Sequence, residues 1–273
     1  MLSTVEVYTA RGVMLPLSLN NPAGGYLVRS IDGLDPVKAN LVSSSFARLD
    51  GEQYQSSRRE KRNIVIKLGI EPDYGVSSVR ELRNELYSFF MPKSRVKMRF
   101  VVDGAPDMDI FGMVETFDSP LFTGDPVATI SLLSFDPDFF DPTTIVVSGT
   151  TQGTTTANVF DYDGTVDSGI IFTLEVDRSI GDFQIQNTPS GEIVRTLDFA
   201  ASLEAGDVVE ISTVPGDKYA MLTRGGNIDS ILYAVSPYSD WPKLQPGEND
   251  IRVKTAGASI PYSFEYTNKY GGL

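Results

Sequence analysis

Turn-forming residues recur so often in the second half of this 273-residue chain that only short strands fit between them. From residue 143 onward, Ala205-Gly206-Asp207, Pro215-Gly216-Asp217, Arg224-Gly225-Gly226-Asn227 and Pro246-Gly247-Glu248-Asn249 punctuate the sequence, as does Pro189-Ser190-Gly191. Between them lie strand-like runs at 145–147, 170–176, 183–187, 192–197, 208–212, 218–222, 231–234, 249–254 and 260–266. A strand every ~8–12 residues, with no 3.6-residue periodicity, predicts an antiparallel sandwich of jelly-roll kind. Residues 148–158, rich in Thr, Gly and Ser, read as a polar lead-in.

The first half is mixed. Strands are expected at 4–8, 15–19, 26–31, 41–49 and 64–70, with turns around Asn20-Asn21-Pro22 and Asp32-Gly33. One helix is legible. Ser78 followed by Glu81 forms a capping box, and Val79, Leu82, Leu86, Phe89 and Phe90 recur at helical spacing. Arg80, Arg83, Asn84 and Glu85 fill the opposite face, and Met91-Pro92 ends the run. A long hairpin follows: Val96, Met98 and Phe100 alternate with Arg95, Lys97 and Arg99, and a return strand covers 110–117. The expected class is therefore mainly β, an α+β first domain (a β-sheet or sandwich with one helix and a long hairpin) followed by a jelly-roll β-sandwich.

The two halves meet at residues 131–142, where a strand ends on two Asp-Pro steps. Pro137 and Pro142 each remove a backbone donor and push the preceding residue out of helical geometry. Phe139 and Phe140, between them, are too apolar for a loose linker. Pro137, Phe139, Phe140 and Pro142 thus read as a packed inter-domain joint dividing domains 1–142 and 143–273. On that reading, removing both phenylalanines loosens the second domain.

Composition narrows the chemistry. With no cysteine and no histidine there is no thiolate nucleophile, no imidazole base and no Cys or His metal centre. The expectation is no enzyme and no cofactor. A net charge of −13 disfavours phosphate backbones and anionic membranes. Residues 1–142 hold 15 Lys+Arg against 19 Asp+Glu, and residues 143–273 hold 8 against 17, so the second domain is the more acidic. No apolar run reaches the ~18 residues of a membrane span, and the first residues lack a basic signal region, which points to synthesis and folding in a cytoplasm.

Three motifs compete with bland readings. Asp161-Tyr162-Asp163-Gly164-Thr165 spells the loop of dehalogenase-type phosphatases, which requires a buried parallel strand before it and a helix after it. A further strand follows instead, so an ordinary turn is preferred. Arg58, Arg59, Lys61 and Arg62 lack interleaved aromatics, so a solvated or subunit-facing hairpin arm is preferred over a nucleic-acid patch. Trp241 is read as a core or loop anchor ahead of a glycan or partner contact.

The order of several motifs carries a resemblance. Leu203-Glu204-Ala205-Gly206-Asp207, then Gly225-Gly226-Asn227, then Leu244-Gln245-Pro246-Gly247-Glu248-Asn249 and an aromatic closing strand resemble the C-terminal galectin-like sandwich of siphophage distal tail proteins. The first half, with its single helix, long hairpin and aromatic Asp-Pro joint, is similar to the N-terminal ring-forming domain of that family. The resemblance implies a structural virion protein without catalytic residues. It implies a homohexameric ring at the tip of a long non-contractile tail, assembled in the host cytoplasm, between the tail-tube protein and the baseplate or tail-tip hub. Tape-measure and receptor-binding proteins are implied as further partners, with no specific nucleic acid. A tail-tube subunit and a carbohydrate-binding β-sandwich protein remain as alternatives.

Overall fold

The computed structural model describes residues 2–19, 23–47, 50–121, 124–151, 158–189, 194–257 and 259–273. Two compact units form: residues 1–142 with 271–273, and residues 143–270. The last three residues, expected with the second domain, pack in the first unit instead. There Leu273 N–H donates to Leu34 O at 3.1 Å, and Gly271 O accepts from Arg62 at 2.6 Å.

In the first unit β1 (Leu2–Thr9), β2 (Met14–Ser18), β3 (Tyr26–Asp32), β6 (Arg62–Ile70), β7 (Arg95–Val102), β8 (Met108–Asp118) and β9 (Val127–Ser134) run in the order β8-β7-β1-β2-β3-β6-β9. β8 pairs with β7 through its first half and with β9 through its second, so the sheet closes on itself. The expected β-sheet is thus a closed barrel. Closure removes strand edges and leaves Val5, Leu17, Ile66, Leu68, Phe100 and Ile130 fully buried inside.

Helix α1 (Val79–Phe90) packs against this wall. Ser78 Oγ accepts from Glu81 N–H at 3.3 Å while Glu81 accepts from Ser78 N–H at 2.9 Å, the expected capping box. Leu82, Leu86, Phe89 and Phe90 are buried. Arg83, expected on the wet face, is buried too, because its guanidinium reaches Ser119 Oγ and Pro120 O, both at 3.1 Å.

A second hairpin stands apart from the barrel. β4 (Ala39–Ser44) and β5 (Gln53–Arg59) pair only with each other, and almost every residue of both is exposed. The sequence hid β5 because Gln53-Tyr54-Gln55-Ser56-Ser57 has no buried face to impose alternation. The expected strand at 41–49 is cut to β4, with residues 48 and 49 outside the described residues.

The second unit is a sandwich. One sheet has β11 (Ile145–Thr150), β13 (Ile171–Glu175), β16 (Val208–Ser212), β17 (Tyr219–Arg224), β18 (Asn227–Ser230) and β20 (Pro261–Tyr266), in the order β11-β20-β13-β16-β17-β18. The other has β12 (Asn158–Tyr162), β14 (Ile180–Pro189), β15 (Arg195–Leu203) and β19 (Gly247–Thr255), in the order β12-β19-β14-β15. All pairings are antiparallel. Phe172 and Phe183 meet across the layers at 6.0 Å, and Phe183 stacks on Phe199 at 4.6 Å. Gly225 and Gly226, both at positive φ, make the tight β17–β18 turn that only glycine-like residues permit. The strand expected at 231–234 is instead a single 3-10 turn, Leu232–Ala234, and the strand lies at β18. Residues 152–157 of the lead-in and 190–193 of an expected turn and strand start fall outside the described residues.

Of the four joint residues, Phe139 and Phe140 pack into the first unit rather than bracing the second, and Pro142 is exposed. In β10 (Phe139–Phe140), Phe139 is fully buried edge-on against Phe100 at 5.6 Å, and Phe140 stacks on Phe111 at 5.4 Å. Phe140 also pairs with Asp109 of β8. Phe139→Ala is expected to destabilise the first unit by about 3–5 kcal/mol. Fluorescence of Trp241, the only tryptophan, reports the second unit alone. Its transition should move by less than about 0.5 kcal/mol, while the circular-dichroism transition of the first unit shifts.

Candidate assembly surfaces

Arg58, Arg59, Lys61 and Arg62 sit where the β4–β5 arm rejoins the barrel, and the structure separates their roles. Arg58 and Lys61 are exposed. Arg59 forks onto the carboxylate of Asp138, which is almost fully buried. Arg62 is not a surface cation at all, being 1 % exposed. Its guanidinium lies 4.4 Å over the Phe139 ring and donates to four backbone carbonyls: Pro137 O and Gly271 O at 2.6 Å, Gly33 O and Asp35 O at 2.7 Å. That removes Arg62 from any subunit interface. A planar five-donor group is the one side chain able to satisfy so many carbonyls at once.

The arm itself exposes Leu41, Val42, Phe46 and Tyr54, with Leu41 at 66 % and Tyr54 at 60 %. A two-stranded ribbon is marginal in water by itself, and an exposed apolar strand pair invites a partner. A second apolar surface opens on the barrel where β9 leaves β8. The ladder pairs Met113 with Leu133 and resumes only at Asp109 with Phe140, and a cavity of about 460 Å³ fills the gap. Phe111, Phe135 and Phe140 line it, Phe135 is 71 % exposed, and the Arg95 guanidinium lies 4.5 Å over Phe111.

The expected cationic face of β7 is partly neutralised. Buried Asp109 accepts from Arg99 at 2.7 and 2.9 Å and pairs with Lys97 at 3.0 Å, and Lys97 also lies over the Tyr8 ring at 4.5 Å. Burial alone would raise the Asp109 carboxyl. The hydrogen bonds from Arg99 and Lys97 outweigh it and hold the group below the usual carboxylate range.

In the second unit the tempting motifs are structural. Tyr162 is buried, and its hydroxyl donates to Val166 O at 3.0 Å and accepts from Lys269 N–H at 2.8 Å. A Cβ on Gly164 would lie 2.2–2.5 Å from the Tyr162 ring and hydroxyl, so the glycine is there to admit the tyrosine. Asp161 and Asp163 are exposed, β12 is antiparallel to β19, and no helix follows, so the phosphatase geometry is missing. Trp241 is half-buried against the sandwich core, with Lys218 Nζ 5.0 Å over its ring.

The resemblance-bearing motifs pin loops. Asp207 accepts from Glu204 N–H at 2.8 Å and from Arg224 at 2.6 and 2.8 Å, which closes the Leu-x-x-Gly-Asp turn onto β17. Asn249, fully buried, donates to Gln245 O and Gly247 O and accepts from Gln245 N–H, folding Leu-x-Pro-Gly-x-Asn around its own side chain.

A closed β-barrel with one helix, an exposed ribbon arm and a jelly-roll sandwich define a mainly β structural protein. Residues 163–270 match the siphovirus-type tail component, C-terminal domain family. The chain also superposes on the Dit protein of phage SPP1, described as a paradigm of hub adsorption apparatus in Gram-positive infecting phages. Their identity is 16 %, covering 97 % of this chain and 98 % of that one, with a TM-score of 0.69. A chain of the phage P2 baseplate in its activated conformation shares 8 % identity over 100 % of both chains, with a TM-score of 0.48. No curated protein matches the sequence. The second unit thus matches the C-terminal domain of siphovirus-type tail components over residues 163–270, and the chain as a whole shares the fold of the SPP1 Dit protein.

Asp109→Asn is expected to cost about 2 kcal/mol at neutral pH by weakening two charge-assisted contacts. A carboxyl with a depressed folded pKa stabilises fully above its unfolded value of ~3.9, and that stability is lost as pH falls through the lower folded value. The gap between wild type and Asp109→Asn in urea unfolding should therefore narrow as the pH falls below about 4. A constant gap would remove the ion pair as its cause.

Proposed function

We propose that this chain is the distal ring subunit of a long non-contractile phage tail: six copies close a ring that joins the tail tube to the tip hub. The observation that carries this reading is the β4–β5 arm, whose apolar side chains face solvent in the single subunit. A surface that contacts a different patch on the next copy generates either a closed ring or an open polymer. The arm of one copy and the Phe111–Phe135 slot of the next supply two such different patches, and exposed Arg58 and Lys61 supply cations beside the arm. The fold shared with a hub adsorption protein supports a ring at the tail tip. The tube protein, the tip hub, the tape-measure protein and receptor-binding proteins are the proposed partners. Catalysis, a cofactor and specific nucleic-acid binding form no part of this role, and a net charge of −13 suits a passage that must not grip DNA.

Native mass spectrometry and negative-stain images of purified protein over a concentration series test the ring. The expected result is a closed six-fold particle. Open polymers would replace the ring by the tail-tube reading, and a monomer at every concentration would overturn both. Leu41→Asp with Tyr54→Asp should abolish the ring while changing the stability of the subunit by no more than about 0.5 kcal/mol per site, because both residues are exposed.

A further inference from the structure

A groove of about 370 Å³ lies in the second unit on the outward face of β14 and β15. Its floor is the cross-strand pair Gln184 and Asp198, whose side chains bond at 2.7 Å, with Ala200 and Asp182 beside them. One wall is Tyr233, raised on the 3-10 turn and 83 % exposed. Ser236 and Pro237, further along the same segment, also line it.

Three features narrow what could fill it. The edge of β15 is already covered: Ser236 N–H donates to Asp198 O and Asp240 N–H to Thr196 O, both at 2.9 Å, and Val235 bridges to Phe199. A peptide therefore cannot add there as a strand, which is how an extended segment ordinarily gains affinity on a sheet. The groove is lined by two carboxylates, a primary amide and two hydroxyls, with Lys254 beside them opposite Gln184 on β19, so an anionic ligand meets a net unfavourable charge. Carboxylate and amide oxygens are acceptors for ligand hydroxyls, the amide NH₂ is a donor, and an aromatic plate beside them offers a face to an apolar ring surface. A flat ring rich in hydroxyls, apolar on one face and uncharged or cationic, satisfies every element of that description.

We propose that this groove is a saccharide-binding site for neutral or amino-sugar oligosaccharides, with Tyr233 stacking a sugar ring and Asp198, Gln184 and Asp182 accepting from its hydroxyls. The reading is independent of ring assembly, since every residue invoked lies within the second unit. It also differs from a glycan contact at Trp241, whose ring is half-buried in the core and covered by Lys218.

Saturation-transfer NMR of the full chain against maltotetraose, an N-acetylglucosamine tetramer, a galactose disaccharide and a sialylated trisaccharide tests it. The expected result is transfer from at least one of the first three. Tyr233→Ala should weaken that binding by about tenfold or more, Asp198→Asn should weaken it less, and Trp241→Ala should leave it unchanged. Melting curves of the variants check that the sandwich is intact. No transfer from any neutral or amino sugar at millimolar concentration, preference for the sialylated ligand, or binding undiminished in a folded Tyr233→Ala would each overturn the site. Mass spectrometry of the same samples scores the ring separately, so failure of one reading does not mask the other.

Discussion

The first unit depends on one buried cation. Arg62 begins β6, and its guanidinium holds four carbonyls from three separate chain segments while covering the Phe139 ring. Burial lowers its pKa, yet a guanidinium stays charged in a protein, so an Arg here must be satisfied or expelled. Satisfying it fixes the loop at 33–35, the segment at 136–138 and the residues from 271 onward around a single point. Arg59 repeats the logic one turn of ribbon away by gripping Asp138. Two of the four cations that the sequence marks as a surface patch thus hold the loops from which the arm leaves the barrel.

The barrel and the sandwich solve the same problem differently. The barrel closes its sheet, so its polar ladder has no long open edge, and the arm and the slot expose apolar side chains, as do Val13, Tyr74, Val76 and Leu121. The sandwich leaves its sheets open but pins their loops with single buried side chains, Asp207, Asn249 and Tyr162. Each motif that singles out the family is therefore a loop fastener with a nearly complete set of partners. This explains why Leu-x-x-Gly-Asp and Leu-x-Pro-Gly-x-Asn carry the resemblance through loop geometry, their polar side chains being occupied by backbone and Arg224 partners.

Local signals were legible wherever burial imposes a period. The capping box at Ser78 and Glu81, the α1 stripe, the β7–β8 hairpin and β16 can be read directly, since each turns one face to a core. β5 was hidden because a strand exposed on both faces has no reason to alternate. The segment 231–234 misled because its apolar residues close a 3-10 turn rather than line a sheet. Arg83 and Arg62 misled for a related reason: their partners lie in distant segments and are backbone carbonyls, joined for Arg83 by the Ser119 hydroxyl, and such pairings leave no mark in a sequence.

The sequence by itself determined the mainly β class, the single helix, the sandwich rhythm and the order of loop motifs that marks a siphovirus tail component, because periodicity and turn chemistry are local properties. Only the tertiary structure decided that the first sheet closes, that Phe139 and Phe140 belong to the first core, that Arg62 is an interior anchor, and that the last three residues return to the first unit. Those outcomes rest on contacts between residues tens to hundreds of positions apart. Which distant carbonyl or ring a side chain meets depends on how all the strands pack, and no local pattern records that.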